Sequence, residues 1–384
     1  KEYEDNIHET LSWLGLMSEE TYRQSEHVPR HAELIRKLIE EDKAYVSKET
    51  PTEGGRAEVI RFRNPKKIVT FTDVIRGDIS MDTTDLGDFV IARSETEPVF
   101  HFAVVADDAD EGVTHVIRGE DHISNTPRQI LISEALGFTT PTYAHLPLVL
   151  GSDRTKLSKR RGAKALTEYR DEGYLKEAMI NYLALLGWHP AGEQELFTTD
   201  ELVKEFTLER IQKSSGIFDE TKLKWFNHEH IKRLSNEAFK KHLEDFSHLE
   251  VDEAIVPFLK ERSQTLLEAK AALEGGEYAF LGDTVSYSKE LLLKGAKAPG
   301  EEVVKHLEAL EAKLAQLPSE AFTGEGVKEA VFPYATEVGR SAVLWPMRVA
   351  LSGLEKSPDP FILSSLLGKE KTVERLKQAR AMLE

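Results

Sequence analysis

Two lysines on a short hydroxyl-bearing turn, Lys156-Leu157-Ser158-Lys159-Arg160, carry the strongest chemical signal in the chain. They stand in a basic stretch running from Asp153-Arg154-Thr155 to Arg161-Gly162-Ala163-Lys164, inside a protein of formal charge −17. Ammonium groups on such a loop form a cationic clamp suited to a polyphosphate whose charge rises in the transition state. The competing reading is a solvated basic loop or a nucleic-acid patch. Arg118 is the second candidate, at the end of Val113-Thr114-His115-Val116-Ile117-Arg118-Gly119-Glu120-Asp121-His122. Its guanidinium fork meets two carboxylate oxygens in a fixed geometry, and the alternative is a structural ion pair with Glu120 or Asp121. Asp121 and His122 suit contact with a ribose or adenine, or capping of the helix that begins near Asn125. His122 has no second His or Cys at metal-ligand spacing, so no metal site is expected there. Asp107-Asp108 and Asp110-Glu111 read as a solvated turn rather than a cation site.

Several chemistries are excluded by pattern. None of the thirteen histidines stands in a His-x-Gly-His device for ATP phosphates, and no Gly-x-x-x-x-Gly-Lys-Ser/Thr loop occurs. There is no Gly-x-Ser-x-Gly elbow and no cysteine, so nucleophilic hydrolase chemistry, disulfides and thiolate metal sites find no support. The 384 residues are too many for one ordinary core, and two to four domains are expected. A content of 40% hydrophobic and 30% charged residues, with no long apolar run and no secretory opening, fits a cytoplasmic globular protein without membrane contact. The acidic balance argues against indiscriminate nucleic-acid binding, but a local basic track still acts within a Debye length of about 8–10 Å.

The elements that must position these residues follow from periodicity. Helical spacing appears over 7–14 and 33–40, with a polar loop at Tyr22-Arg23-Gln24-Ser25-Glu26 between them. Strand-like runs follow at 59–62, 69–71, 88–92 and 100–105. Residues 113–118 read as a short buried strand, Asn125-Thr126-Pro127 as a helix start, and Gly137 as its stop. A further strand at 145–150 delivers the chain to the basic loop. Strand, polar turn and helix in alternation predict a parallel α/β sheet, with ligands at the carboxyl ends of its strands, where Arg118 and the Lys156 loop fall. Beyond about residue 165 strands nearly vanish. An apolar helix over 175–186 ends at Gly187-Trp188, and amphipathic segments over 197–236, 251–275, 301–315 and 360–383 predict an all-α remainder.

Together these blocks resemble the bacterial glutamyl-tRNA synthetases, a family of class I aminoacyl-tRNA synthetases. The resemblance rests on Leu14-Gly15-Leu16, Tyr22 to Glu26, Gly87-Asp88-Phe89-Val90-Ile91, Val113 to His122, Asn125-Thr126-Pro127-Arg128-Gln129 and Lys156 to Arg160. It continues through Asn181 to Trp188, then Phe218-Asp219 with Leu223, Trp225 and Asn227, and Leu366-Leu367-Gly368-Lys369-Glu370. It implies a Rossmann-like parallel sheet in residues 1–29 and 100–160, with an inserted α+β acceptor-binding subdomain at 30–99. A helical stem-contact domain follows at 161–238. An all-helical anticodon-binding region takes 239–384, in two parts of about 239–305 and 306–384. Lys156, Ser158, Lys159 and Arg160 match the family's KMSKS loop, with Lys159 on the ATP phosphates, and Asp121 and Val149 match positions lining the adenosine. Arg118, Phe100, Val104 and His122 match glutamate-binding positions, Phe100 standing where relatives commonly carry a tyrosine. Arg262 matches an arginine that reads the anticodon.

The implied activity is ATP- and Mg²⁺-dependent attachment of L-glutamate to tRNA(Glu), by a monomer without structural zinc. Two departures accompany it. The His-x-Gly-His block falls before Lys1, so a polypeptide beginning there is expected not to make glutamyl-adenylate at an enzyme-like rate. The segment between Tyr45 and Arg61, zinc-binding in some relatives, is reduced to a glycine-containing turn. Rival readings are a tRNA-binding protein that has lost catalysis, an enzyme also charging tRNA(Gln), a glutaminyl-tRNA synthetase, whose C-terminal part is β-barrel, and a shortened tRNA-base-modifying relative, which lacks an anticodon region.

Overall fold

Apolar positions alternate with period two over much of the first half and recur at helical spacing in the second. The computed structural model, which describes residues 2–49, 58–158, 163–276, 278–282 and 284–384, follows that division. It contains two units, Lys1–Arg170 with Tyr174–His230, and Asp171–Gly173 with Ile231–Glu384.

In the first unit, helix α1 (Glu2–Leu14) precedes α2 (Val28–Glu40), which carries proline in its first turn and buries Ala32, Leu34, Ile35 and Leu38. Strands β1 (Ala44–Lys48), β2 (Glu58–Phe62), β3 (Ile68–Asp73), β4 (Gly77–Asp82) and β5 (Phe89–Ala92) follow. Next come α3 (Phe100–Asp110), β6 (His115–Gly119), α4 (Thr126–Leu136), β7 (Thr142–Leu146) and β8 (Val149–Leu150). The unit continues through α5 (Leu166–Asp171), α6 (Lys176–Leu185), α7 (Thr199–Glu205), β9 (Gly216–Ile217) and α8 (Glu220–Arg233), although Asp171 of α5 and Ile231 to Arg233 of α8 belong to the second unit.

Strands β1, β2 and β5 form an antiparallel sheet, and a second sheet has the order β4-β3-β7-β6. In the second sheet β6 and β7 run parallel through five paired residues, Arg118 abreast of His145. The β3–β4 hairpin joins this sheet where Asp73 pairs in parallel with Tyr143. So the part of the expected 30–99 insert that spans β3 and β4 shares a sheet with the strands that carry Arg118 and His145. Side chains from α2, α3, α4 and both sheets fill one core, with Ile35, Leu38, Ile91, Phe102 and Ile132 fully buried.

Three expectations are corrected. Residues 100–105 are the start of helix α3, not a strand. A short apolar run fits either state, and here Phe102, Ala103, Val105 and Ala106 form the buried face of a helix whose length reaches Asp110. The strand at 113–118 is not buried: β6 pairs only with β7 among the described residues, and Ile117 stays 49% exposed on that edge. Asp107 is not in a solvated turn either. It lies buried in the last part of α3 and accepts hydrogen bonds from the Tyr22 hydroxyl at 3.2 Å, the Gln24 amide at 2.5 Å and the His31 ring at 2.6 Å. The 22–26 segment is thereby tied to α3, and it holds a single 3-10 turn at Gln24–Glu26.

The second unit is helical, as periodicity required. Helices α9 (Asn236–Ser247), α10 (Val256–Arg262), α11 (Leu266–Glu274) and α12 (Lys289–Lys294) lead into α13 (Gly300–Gln316), α14 (Gly324–Val338), α15 (Arg340–Ser352) and α16 (Pro360–Leu383). Ser235, Thr265, Ser288, Thr323 and Asp359 each cap a helix through a side-chain oxygen. Gly368 interrupts α16 at φ 75°, a left-handed conformation that glycine adopts without strain. Among the described residues no helix is long and apolar enough to cross a membrane.

Candidate active site

Parallel pairing of β6 with β7 sets Arg118 and His145 side by side at the carboxyl ends of their strands, and α4 begins just beyond. That helix is built locally: Pro127 occupies its first turn and Gly137 closes it in the left-handed region at φ 78°. Its first turns then present Thr126 and Gln129 to the strand ends. The Arg118 guanidinium donates from Nε to His145 Nε2 at 3.2 Å, and from Nη2 to Thr126 Oγ1 at 2.9 Å and Gln129 Oε1 at 2.7 Å. Its carbon centre lies 5.5 Å over the Tyr143 ring. All these partners are neutral, and among the described residues no carboxylate forms an ion pair with Arg118. Burial lowers its pKa from the usual arginine value and raises that of the neighbouring Tyr143 to about 12.

The alternative ion pairs for Arg118 go elsewhere. Glu120 pairs with Arg76 at 2.5 Å and accepts the Leu148 amide at 3.1 Å. Asp121 pairs with Lys156 at 2.6 Å, and the hydrogen bond from that ammonium holds the Asp121 carboxyl below its ordinary range. Asp121, three residues beyond Arg118, thus links the strand end to the basic loop. Gly119 gives this carboxylate its room, since a Cβ there would stand 2.6 Å from Asp121 Oδ1.

The loop hangs from the short parallel pair β8–β9, in which Val149 faces Gly216. Leu157 N donates to Val149 O at 3.0 Å, so the segment folds back on β8. Lys156, Ser158 and Val149 line one side of a cleft of about 950 Å³, and Ile217, Phe218 and Asp219 line another. Arg118 does not line it. Lys159 and Arg160 lie outside the described residues. Phe100, at the start of α3, is 51% exposed, with its ring centroid 5.5 Å from that of His122. The Asn125 amide donates to His122 Nδ1 at 3.1 Å, which does not cap α4, and Val104 is half-buried on α3. Neighbouring His101 is pushed below the usual histidine pKa by burial and by the charges of Arg128 and Arg118. Arg262 is exposed in the last turn of α10, in the second unit.

The structure therefore brings Arg118, His122 and Phe100 to one end of the sheet and joins Asp121 to Lys156, while Val149 belongs to the loop's support. Sequence reading missed Asp73, His145, Thr126 and Gln129. The signal available for His145 was an ionisable residue between the apolar Ala144 and Leu146 of a strand. Among the described residues no group of three or more His, Cys, Asp or Glu side chains is placed to hold a metal ion.

Comparisons with known proteins identify the family. A family model described as the catalytic domain of class I tRNA synthetases (E and Q) matches residues 1–54 and 52–225, and an anticodon binding domain matches 223–380. The chain belongs to the class I tRNA synthetases of the E and Q group. Within it, the chain is 36% identical to a glutamate–tRNA ligase of Sulfurihydrogenibium sp., covering 98% of this chain and 88% of the relative. It is 38% identical to one from Geobacter sulfurreducens, covering 99% and 88%. The fold is similar to a crystal structure of a glutamate tRNA ligase from Elizabethkingia meningosepticum in complex with its amino acid. That match has a TM-score of 0.80 at 30% identity and covers 99% of this chain and 89% of that one. A glutamate-tRNA synthetase from Elizabethkingia anophelis matches with a TM-score of 0.77 at 29% identity. The two family matches meet near residue 225, close to the boundary between this synthetase's two units.

Proposed function

We propose that this chain joins L-glutamate to tRNA(Glu) through a glutamyl-adenylate. A glutamate carboxylate oxygen attacks the α-phosphorus of ATP, the bond to the bridging oxygen breaks, and pyrophosphate leaves. The terminal ribose hydroxyl of tRNA then attacks the activated carbonyl and AMP departs. The protein's part is positioning and electrostatics, without a covalent intermediate on a side chain. The observation that carries the reading is the Arg118 fork. It is half-buried and, among the described residues, held by neutral acceptors only, which keeps its charge for an incoming carboxylate.

On this reading Arg118, His122, Phe100 and Val104 receive glutamate, with Phe100 contributing ring surface rather than a hydroxyl. Asp121 and Val149 border the adenosine, and Lys156, Ser158, Lys159 and Arg160 neutralise the phosphates, Mg²⁺ arriving as part of the ATP substrate. The segment 30–99 would embrace the acceptor end, 161–238 the stem, and 239–384 the anticodon, with Arg262 reading a base. The enzyme would work as a cytoplasmic monomer. The chain contains no cysteine, so zinc would have no thiolate ligand. The test is pyrophosphate exchange into ATP by the full-length protein. Exchange should require L-glutamate and fall at least about a hundredfold in Arg118→Met. Exchange indifferent to glutamate, or undiminished in that variant, refutes the assignment.

A further inference from the structure

We propose that Asp73 and His145 form a buried relay that holds the Arg118 guanidinium in its carboxylate-receiving orientation. The inference rests on the reading that Arg118 holds the amino acid, and it adds two positioning residues to that reading.

Arg118 has a long, flexible side chain and sits on a strand that is at the sheet edge among the described residues, so its orientation must be imposed from outside. Nε is the atom whose hydrogen bond fixes the plane of the fork, and its acceptor is His145 Nε2 at 3.2 Å. An imidazole accepts at Nε2 only when its proton resides on Nδ1. Nδ1 lies 2.6 Å from Asp73 Oδ2, which also accepts the His145 backbone amide at 3.0 Å. The other oxygen, Asp73 Oδ1, accepts the Ile75 and Arg76 amides at 3.0 and 2.9 Å, so the tight turn after β3 grips the carboxylate. With backbone amides and the ring all donating to it, the carboxylate takes the Nδ1 proton as acceptor. The tautomer is thereby set, and the lone pair at Nε2 faces the arginine.

Both side chains are wholly buried. The charged groups around the ring are Asp73, Arg118 and Arg76, whose Nε donates to the His145 carbonyl at 3.3 Å. Phe71 and Tyr143 supply the apolar surroundings. Burial and the two arginine charges keep the ring neutral against the pull of Asp73. Burying a carboxylate and an imidazole here would cost stability that apolar residues of similar size would not. The gain is the direction of the Nε2 lone pair.

The experiment measures glutamate- and ATP-dependence of pyrophosphate exchange by the full-length protein in four variants. Asp73→Asn presents an amide that lets the ring proton move to Nε2, where it opposes the Arg118 Nε–H. His145→Phe keeps a ring and removes the hydrogen bonds to Asp73, Arg118 and Thr126, whereas His145→Gln returns an acceptor oxygen near Nε2. Arg118→Met tests the underlying reading. The expected result is a KM for glutamate raised about tenfold or more in Asp73→Asn and His145→Phe. The KM for ATP should stay within about twofold, with substantial recovery in His145→Gln. If Arg118→Met raises the glutamate KM and the other three do not, the relay is wrong and the reading of Arg118 stands. If Arg118→Met leaves it unchanged, the reading itself fails. Equal losses toward both substrates, or a His145→Gln no better than His145→Phe, mark a structural pair and overturn the relay. Should Asp73→Asn fail to fold, the Gln and Phe comparison decides alone.

Discussion

Adding one methyl group at Gly216 should damage both the stability of the first unit and the site that hangs from β8. A Cβ built there stands 2.1 Å from the carbonyl oxygen of Leu186 and 3.0 Å from its carbonyl carbon. Carbon and oxygen do not approach much below about 3 Å, so one backbone segment must retreat by roughly 1 Å. Neither can move cheaply. Leu186 is the C-cap of α6, and Gly216 is paired with Val149, while the next residues are tied in by Phe218 N donating to Leu150 O at 2.8 Å. Overpacking against backbone falls at the upper end of the usual range, about 3 kcal/mol, which for a unit of this size lowers Tm by about 6–12 °C. Three of the four tryptophans, Trp13, Trp188 and Trp225, lie in this unit, so fluorescence-detected melting of Gly216→Ala reports on it. Because β8 carries the Lys156 loop, the KM for ATP in pyrophosphate exchange should rise as well. Gly192→Ala is the control, since nothing lies within 4 Å of its added Cβ. A Gly216→Ala protein that melts with wild type and retains its ATP dependence would refute the close-approach argument.

Other outcomes follow from the same contacts. Burial sets the His145 ring below the ordinary value of 6.5. As pH falls through about 6.5, the unfolded chain therefore takes up a proton that the folded chain declines, and stability is lost. The drop in Tm between pH 7 and pH 5 should be smaller in His145→Phe than in wild type, and an equal or larger drop counts against it. In the second unit the Arg375 guanidinium donates to the carbonyls of Phe280 at 2.7 Å, Leu351 at 2.5 Å and Gly282 at 2.6 Å. Arg375→Met leaves these acceptors without that donor, which should cost at least about 3 kcal/mol and speed hydrogen exchange in α15 and α16. Unchanged exchange there would show that the carbonyls find other donors. Affinity for tRNA(Glu) should fall at least about tenfold between about 50 and 200 mM salt, because phosphate contacts release counterions. A flat response in a filter-binding titration would contradict the tRNA reading.

Much of the architecture is written in local signals. Pro127 and Gly137 bracket α4 because proline is tolerated in a first helical turn and glycine enters the left-handed region freely. Alternation marked β2, β3 and β5, and helical spacing over 251–275, 301–315 and 360–383 marked α10, α11, α13 and α16 in the second unit. The loop at Lys156 and the arginine at a strand end stood out by residue type alone, and the family blocks gave them roles. Where the local signal was degenerate the reading failed: a six-residue apolar run at 100–105 serves a strand or a helix equally well.

What surrounds Arg118 was decided by tertiary structure. Its acceptor His145 is 27 residues away, and the carboxylate that orients His145 is 72 residues before it. Glu120 and Asp121, the near neighbours in sequence, are drawn off by Arg76 and Lys156. Likewise, the need for glycine at 216 exists only because the end of α6 passes over β9. Propensity and capping act over a few residues, so sequence fixes elements and the identity of a charged group. Whether that charge is neutralised, oriented or left available depends on which strands pair and in what register.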